Sequence, residues 1–410
     1  MASSALASLP FPFATLLPNT NKRPTRLFST TLAAEPISSP SPSLNVVIAG
    51  GGSGGHIFPA IAIADELRAD ARVVFLGTST GMEREVIPAA GYEFVPIPKV
   101  KLSRPFLSPL NLLLPFKLLR SIVASLRVLR KIRPDIVVGT GAYVSAPVLF
   151  AAALSGIRLV IQEQNAYPGL TNQVIAPYAE KIFLAFNACL KYFPRDKCVV
   201  CGNPIRLSLS HHASKVDARL HYFPKAGENA QVVLVLGGST GATALNDAFL
   251  KMYHDMLVEH DNRYIIWQTG AEWHKEVESH VKKHPRLLLT PFLHAMDLAY
   301  AASDVVVSRA GAMTCTEILN AGKPSILIPS PTAAEDHQTK NAYTMADIAG
   351  SKVIIEDELD STSLESAINE VLGDENLMRE MSEKAIRAAR PNASSDIAQC
   401  ILSMVKTSSA

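Results

Sequence analysis

No stretch of the chain reaches the roughly 18 uninterrupted apolar residues that a spanning helix needs, although 48% of its 410 residues are hydrophobic. A helical integral membrane protein is thereby excluded. Cysteine is scarce: five residues, unevenly placed, cannot form the disulfide framework of a small secreted domain. Cys198 and Cys201 make a lone C-x-x-C inside the strand-like run CVVCGNP, away from any helix start that would stabilise a thiolate, and no second pair completes a zinc site. Surplus charge is also missing. The formal net charge is +2, and residues 1–43 account for it with Lys22, Arg23 and Arg26 against Glu35. A neutral remainder has no basic field with which to hold nucleic acid.

The first 43 residues are rich in Ser, Thr, Ala and Pro, have one acid and lack a continuous apolar core. Such a composition builds no fold. It matches an organelle transit peptide better than a secretory signal, and its Ala-Ser-Ser start and low arginine content point to a chloroplast. The folded part is expected to begin at Leu44.

From there short Val/Ile runs alternate with amphipathic segments, the pattern of parallel strands covered on both faces by helices. The first series runs from NVVIAG to KCVVCGNP; Ser208 to Gln231 breaks it with His, Lys and Pro; a second opens with QVVLVLGG. The expected organisation is α/β, with two doubly wound Rossmann-like domains, 44–207 and 231–410, joined by a linker over 208–230 and facing a shared cleft. Each half opens with a strand and a Gly-rich turn, VVIAGGGSGGH and VVLVLGGSTGA. In the first turn Gly50, Gly52 and Gly55 satisfy G-x-G-x-x-G, but the second strand, RVVFL, reaches no carboxylate before Glu83 to hold a dinucleotide ribose.

Acid is absent between Glu93 and Asp135, where nine bases are interleaved with leucine and phenylalanine. A Leu-rich loop leading into a basic amphipathic helix suits an anionic membrane surface, and residues 99–133 are expected to make that peripheral contact.

The second half carries VVVSRAGAMTCTEIL, a buried strand running into a helix near Ala312. This helix start leaves the N–H groups of Met313, Thr314 and Cys315 as orphan donors for a diphosphate. Glu317, one turn on, can accept from both hydroxyls of a ribose. Ser239 in GGSTGA, Gln338 in EDHQTKNA, the loop TPFLHAMD and Arg206 in GNPIR complete what one nucleotide diphosphate could touch.

Seven motifs in this order, GGGSGGHIFPA, VVGTGAYVSAP, QEQNAYPGLTN, GNPIR, VLGGSTGA, SRAGAMTCTEI and EDHQTKNA, resemble the MurG family of glycosyltransferases, which move N-acetylglucosamine from UDP-GlcNAc to an undecaprenyl-diphospho-muramoyl-pentapeptide (lipid I to lipid II). The resemblance implies a GT-B fold and an inverting reaction without metal or other cofactor. It implies that Ser239, Arg206 and the start Ala312, Met313, Thr314, Cys315, Thr316 and Glu317 bind UDP, with Leu293 contacting uracil through its backbone and Gln338 the sugar or ribose. Ser53, Gly54, Gly55 and Asn165 would close the site from the first domain. An inverting transfer needs a base for the attacking hydroxyl. His56, directly after the glycines and carrying the side chain type most often used as a general base, is the candidate, with Glu163 as competitor. The family reads HEQN where this chain has Gln162, Glu163, Gln164 and Asn165, so a neutral amide replaces an imidazole expected in the cleft. Two other functions fit the same organisation: a plastid galactolipid synthase using UDP-galactose, and a non-catalytic UDP-sugar or lipid-binding protein.

Overall fold

The computed structural model describes residues 44–100, 111–205 and 213–406. The expected leader, residues 101–110 of the basic segment and Arg206 lie outside the described residues.

The first domain contains β1 (Leu44–Ala49), α1 (Gly54–Leu67), β2 (Ala71–Thr78), α2 (Glu83–Ala89), β3 (Glu93–Ile97), α3 (Leu114–Ile132), β4 (Ile136–Gly139), α4 (Ala142–Leu154), β5 (Arg158–Glu163), α5 (Leu170–Ile175), β6 (Lys181–Leu184) and β7 (Cys198–Val200). The strands form one parallel sheet in the order β3-β2-β1-β4-β5-β6-β7. Val46 and Ile48 face one apolar layer and Val47 and Ala49 the other. Burial on both faces explains why the strands read as continuous apolar runs rather than alternating ones.

The second domain contains α6 (Lys215–Tyr222), β8 (Gln231–Leu236), α7 (Thr243–Glu259), β9 (Arg263–Gln268), α8 (His274–His280), β10 (Leu287–Thr290), α9 (Met296–Ala302), β11 (Val305–Ser308), α10 (Ala312–Ala321), β12 (Ser325–Leu327), α11 (His337–Ala349), β13 (Lys352–Val353), α12 (Ser361–Gly373) and α13 (Glu375–Ala388). Its parallel sheet is ordered β10-β9-β8-β11-β12-β13. In both sheets the order reverses next to the opening strand, between β1 and β4 and between β8 and β11. Both Gly-rich turns therefore leave their sheets at a topological switch point, where ligands bind in such folds.

Two boundaries differ from the sequence reading. The second part of the expected linker is a helix, α6, folded onto the second domain: Ala218 is in its core, and Arg219 donates to Asp304 Oδ2 at 2.6 Å. The last helix, α14 (Ala393–Lys406), returns to the first domain. Ile397, Ala398, Ile401 and Val405 complete the layer that holds Ile57 and Ile63 of α1. The chain thus crosses between domains twice, at Gly202–Ile205 and again at Ala389–Asn392. The crossings touch: Gly202 adopts φ +90, and a Cβ there would sit 2.5 Å from Arg390 Cβ. Among the described residues no helix is long and apolar enough to cross a membrane.

Candidate active site between the two switch points

The turn after β1 is shaped by side chains that need the glycines. A Cβ on Gly50 would lie 2.0 Å from Thr140 Oγ1, and one on Gly51 would lie 2.7 Å from the Glu83 carboxyl carbon. Glu83, fully buried at the start of α2, accepts from Gly52 N (3.1 Å), Thr78 N (3.0 Å) and the Thr78 hydroxyl (2.6 Å). Burial pushes this carboxyl's pKa up, but the Thr78 hydroxyl and the Gly52 and Thr78 N–H groups outweigh it and hold the group below the usual carboxylate range. The acid that comes too late for a dinucleotide ribose is thus the clamp of the turn. The flanking glycines carried a signal for it, because Gly77 and Gly81 also make room for this side chain.

Helix α1 begins at Gly54 with Ser53 as N-cap, and Ser53 offers no side-chain cap. Its carbonyl takes the N–H groups of His56 (3.1 Å) and Ile57 (3.2 Å), which leaves those of Ser53, Gly54 and Gly55 as the donors without an intrahelical partner. His56 is half-buried. Its Nδ1 lies 2.8 Å from the Thr140 carbonyl and 3.1 Å from Gln164 Oε1. A carbonyl only accepts, so Nδ1 carries the hydrogen and Nε2 keeps its lone pair. Thr140, directly after β4 at the switch point, is a site residue that motif reading passed over; the strand-order reversal would have selected it.

Glu163 is corrected. It is 1% exposed, and each oxygen accepts twice: Oε1 from Asn165 N (3.0 Å) and Nδ2 (3.2 Å), Oε2 from Gly169 N (3.0 Å) and Asn172 Nδ2 (2.8 Å). A carboxylate surrounded by four donors braces the 163–172 loop and has no geometry for abstracting a substrate proton. Asn165 serves the domain interface: its Oδ1 accepts from Asn341 Nδ2 (3.2 Å), and Asn341 Oδ1 accepts from Ala166 N (2.8 Å). Lys340 lies 3.5 Å over the Tyr167 ring beside this pair. Gln162 is fully buried, so the departure from HEQN falls beneath the cleft rather than in it.

On the facing side, the run 312–317 divides. Cys315 N donates to Gly311 O at 2.9 Å, so the open donors of α10 are Ala312, Met313 and Thr314, one residue earlier than expected. The Cys315 thiol is buried, and burial pushes its pKa up to about 12. Thr316 is buried against Asn203 of the first domain, at 2.9 Å. Glu317 is half-buried, and the Tyr300 hydroxyl donates to its Oε2 at 2.9 Å. Tyr300's own pKa is raised well above its ordinary value by burial and then by the Glu317 charge, so it stays a donor.

Ser239 is exposed in the second Gly-rich turn, where Gly238 and Gly241 have φ +83 and +114. Gln268 at the end of β9 positions this turn and the loop after β10 together, donating from Nε2 to Gly238 O (3.0 Å) and accepting from Leu293 N (2.9 Å) at Oε1. The Leu293 N–H is therefore taken within the protein. Gln338, the second residue of α11, accepts from Ser330 N at 3.0 Å through Oε1, leaving its Nε2 as the donor side. The first switch point thus carries an imidazole tied down through Nδ1, and the second domain carries a helix start, a carboxylate held by Tyr300 and a glycine turn.

Comparison with known proteins identifies the family. Residues 46–184 match the glycosyltransferase family 28 N-terminal domain and residues 232–399 the glycosyltransferase family 28 C-terminal domain. A relative from Salinibacter ruber is 42% identical over 363 residues, covering 88% of this chain and 96% of its own; one from Finegoldia magna is 35% identical, covering 88% and 99%. Both are named UDP-N-acetylglucosamine--N-acetylmuramyl-(pentapeptide) pyrophosphoryl-undecaprenol N-acetylglucosamine transferase. The crystal structure of Acinetobacter baumannii MurG superposes with TM-score 0.70 at 29% identity, covering 88% of this chain and 99% of that one. The calicheamicin glycosyltransferase CalG4 shares the fold, with TM-score 0.63 at 14% identity and coverage of 88% and 98%. With its two facing doubly wound domains in the GT-B arrangement, the chain belongs to glycosyltransferase family 28.

Proposed function

We propose that this protein transfers N-acetylglucosamine from UDP-GlcNAc to a polyprenyl-diphospho-muramoyl-peptide with inversion at the anomeric carbon. The observation that carries the reading is His56: Nδ1–H is held on the Thr140 carbonyl at 2.8 Å, at the switch point of the first sheet. The acceptor hydroxyl forms its bond to the anomeric carbon as the bond to the diphosphate breaks. Its proton goes to His56 Nε2, and the electron pair of the broken bond goes to the UDP oxygen. The N–H groups of Ala312, Met313 and Thr314, with Ser239 and its turn, meet the growing negative charge, each such contact being worth about 0.3–2 kcal/mol at a helix start. Glu317, aimed by Tyr300, takes the ribose hydroxyls. The turn at Ser53 to Gly55 offers its donors to the acceptor's diphosphate.

Helix α3 supports contact with the lipid that carries the acceptor. Its inner face buries Leu129 together with Ser121 and Ser125, which donate to Pro98 O (2.8 Å) and Ser121 O (2.9 Å), whereas Phe116 in its first turn and Leu112 just before it are 71% and 79% exposed. Lys117, Arg120, Arg127, Arg130 and Lys131 are exposed on the same helix. Apolar side chains turned outward among cations suit an anionic headgroup layer. The composition of residues 1–43 supports delivery to a plastid, which would put this contact on the stromal face of a plastid membrane.

The test is transfer of labelled sugar from UDP-GlcNAc to synthetic lipid I by the full chain and by residues 44–410. Product from both supports the reading; UDP binding without turnover overturns it in favour of a binding protein, and transfer from UDP-galactose to diacylglycerol in favour of a galactolipid synthase.

A further inference from the structure

We propose that Gln164 joins the Thr140 carbonyl in holding the proton of His56 on Nδ1, so that the tautomer is fully fixed only when both oxygens are in place, and that Gln164 does so as the last member of a hydrogen-bond string of single polarity that starts on α10 in the other domain. The inference rests on the reading of His56 as the base.

The direction of every bond follows from backbone oxygens, which can only accept. Thr316 donates its one hydroxyl proton to Ala312 O at 2.9 Å. Toward Asn203 it can therefore only accept, from Nδ2 at 2.9 Å, and the same Nδ2 donates to Gln164 O at 3.0 Å. Asn203 Oδ1 is then the atom turned to Gln162, whose Nε2 donates to it at 2.8 Å. Gln162 Oε1 in turn accepts from Gln164 Nε2, which also donates to Thr140 O at 2.7 Å. Gln164 Oε1 is thus the atom left for His56, 3.1 Å from Nδ1. Asn203, Gln162 and Gln164 are buried, so water cannot reorient them and no member of the string titrates. After proton transfer to Nε2, the imidazolium keeps Nδ1–H on the same two oxygens. The titratable groups that close round this turn are Glu83 on Gly52, Tyr143 of α4 beside it, and Glu163, which reaches the imidazole side through Asn172.

Gln164 is a positioning residue. The experiment is ¹⁵N NMR of histidine-labelled full-length protein, with the His56 signal identified by its loss in His56→Gln. The wild type is expected as the Nδ1–H tautomer. Gln164→Leu should mix in the Nε2–H tautomer, lower the His56 titration and cut kcat about tenfold with KM for UDP-GlcNAc unchanged. Gln162→Met, which does not touch the imidazole, should act in the same direction. Gln162→Glu should restore the wild-type tautomer, because a buried neutral carboxylic acid can accept from Gln164 and donate to Asn203, whereas a purely packing role would be served as well by Met. An Nε2–H wild type, or a tautomer and titration unmoved by Gln164→Leu, would overturn the proposal. A tautomer that moves while kcat stays constant supports the string and removes His56 as base.

Discussion

His56 and Thr140 hold each other twice across the first switch point: the imidazole Nδ1–H donates to the Thr140 carbonyl at 2.8 Å, and the Thr140 hydroxyl donates to the His56 carbonyl at 3.0 Å. Backbone and side chain of each residue are engaged, so the ring direction is coupled to the first turn of α1.

Removing the imidazole should therefore affect chemistry and leave nucleotide binding alone. His56→Ala is expected to lower kcat by roughly 10²- to 10⁴-fold, with UDP affinity by calorimetry unchanged because the imidazole is not among the groups proposed to hold UDP. An unchanged rate would remove His56 as the base.

Gly50→Ala should mimic part of that loss without touching the ring, because its Cβ would meet Thr140 Oγ1 at 2.0 Å. Gly270→Ala makes the opposite case. Gly270 has φ +86 and its Cβ would lie 2.2 Å from the Gly241 backbone, so the second Gly-rich turn must shift. The expected results are lowered kcat with normal UDP binding for the first and weakened UDP binding for the second, read by the same two assays.

Glu83 should appear in the pH dependence of stability. Its folded pKa is held below the ordinary value, so the carboxylate stabilises the fold at neutral pH, and that contribution is lost as the pH falls through the folded value. Glu83→Gln leaves one oxygen for three donors and is expected to cost about 1–3 kcal/mol at pH 7 in urea unfolding. The gap from wild type should narrow in acid, and a gap independent of pH would show that the charge is not what holds the turn.

Tyr300→Phe removes the hydroxyl that aims Glu317. The expected change is a several-fold rise in KM for UDP-GlcNAc, equivalent to about 0.5–1.5 kcal/mol, at constant kcat. Glu317→Gln should raise KM further. A fall in kcat from Tyr300→Phe would place the tyrosine in the chemistry instead.

Replacing Leu112, Phe116 and Leu119 by Ser should reduce sedimentation with anionic vesicles, and salt should weaken what binding remains. Transfer to a water-soluble acceptor analogue should stay at the wild-type rate.

The architecture was legible because strands buried on both faces write continuous apolar runs, and because each domain announces its opening strand with glycines that the turn requires. At the site, the glycines were legible because each marks a place where a Cβ would collide, and the start of α10 was legible to within one residue because a strand-to-helix turn announces it. It was not legible where the partner is remote in sequence. Glu163 looked like a base because sequence shows a carboxylate but not the four donors around it. Cys315 looked like a phosphate donor because helix starts are uncertain by a residue. Thr140, Gln164, Gln268 and Asn203 act through bonds to elements 24 to 113 residues away, a distance no local pattern spans.

The return of α14 to the first domain has a consequence for biosynthesis. The layer around Ile57 and Ile63 lacks Ile397 and Ile401 until nearly the whole chain has been made. The domain translated first is thus finished last, and a nascent chain carries an open apolar face while its second domain is already able to close. A truncation or a bulky fusion at the C-terminus would strike the half of the protein that holds His56.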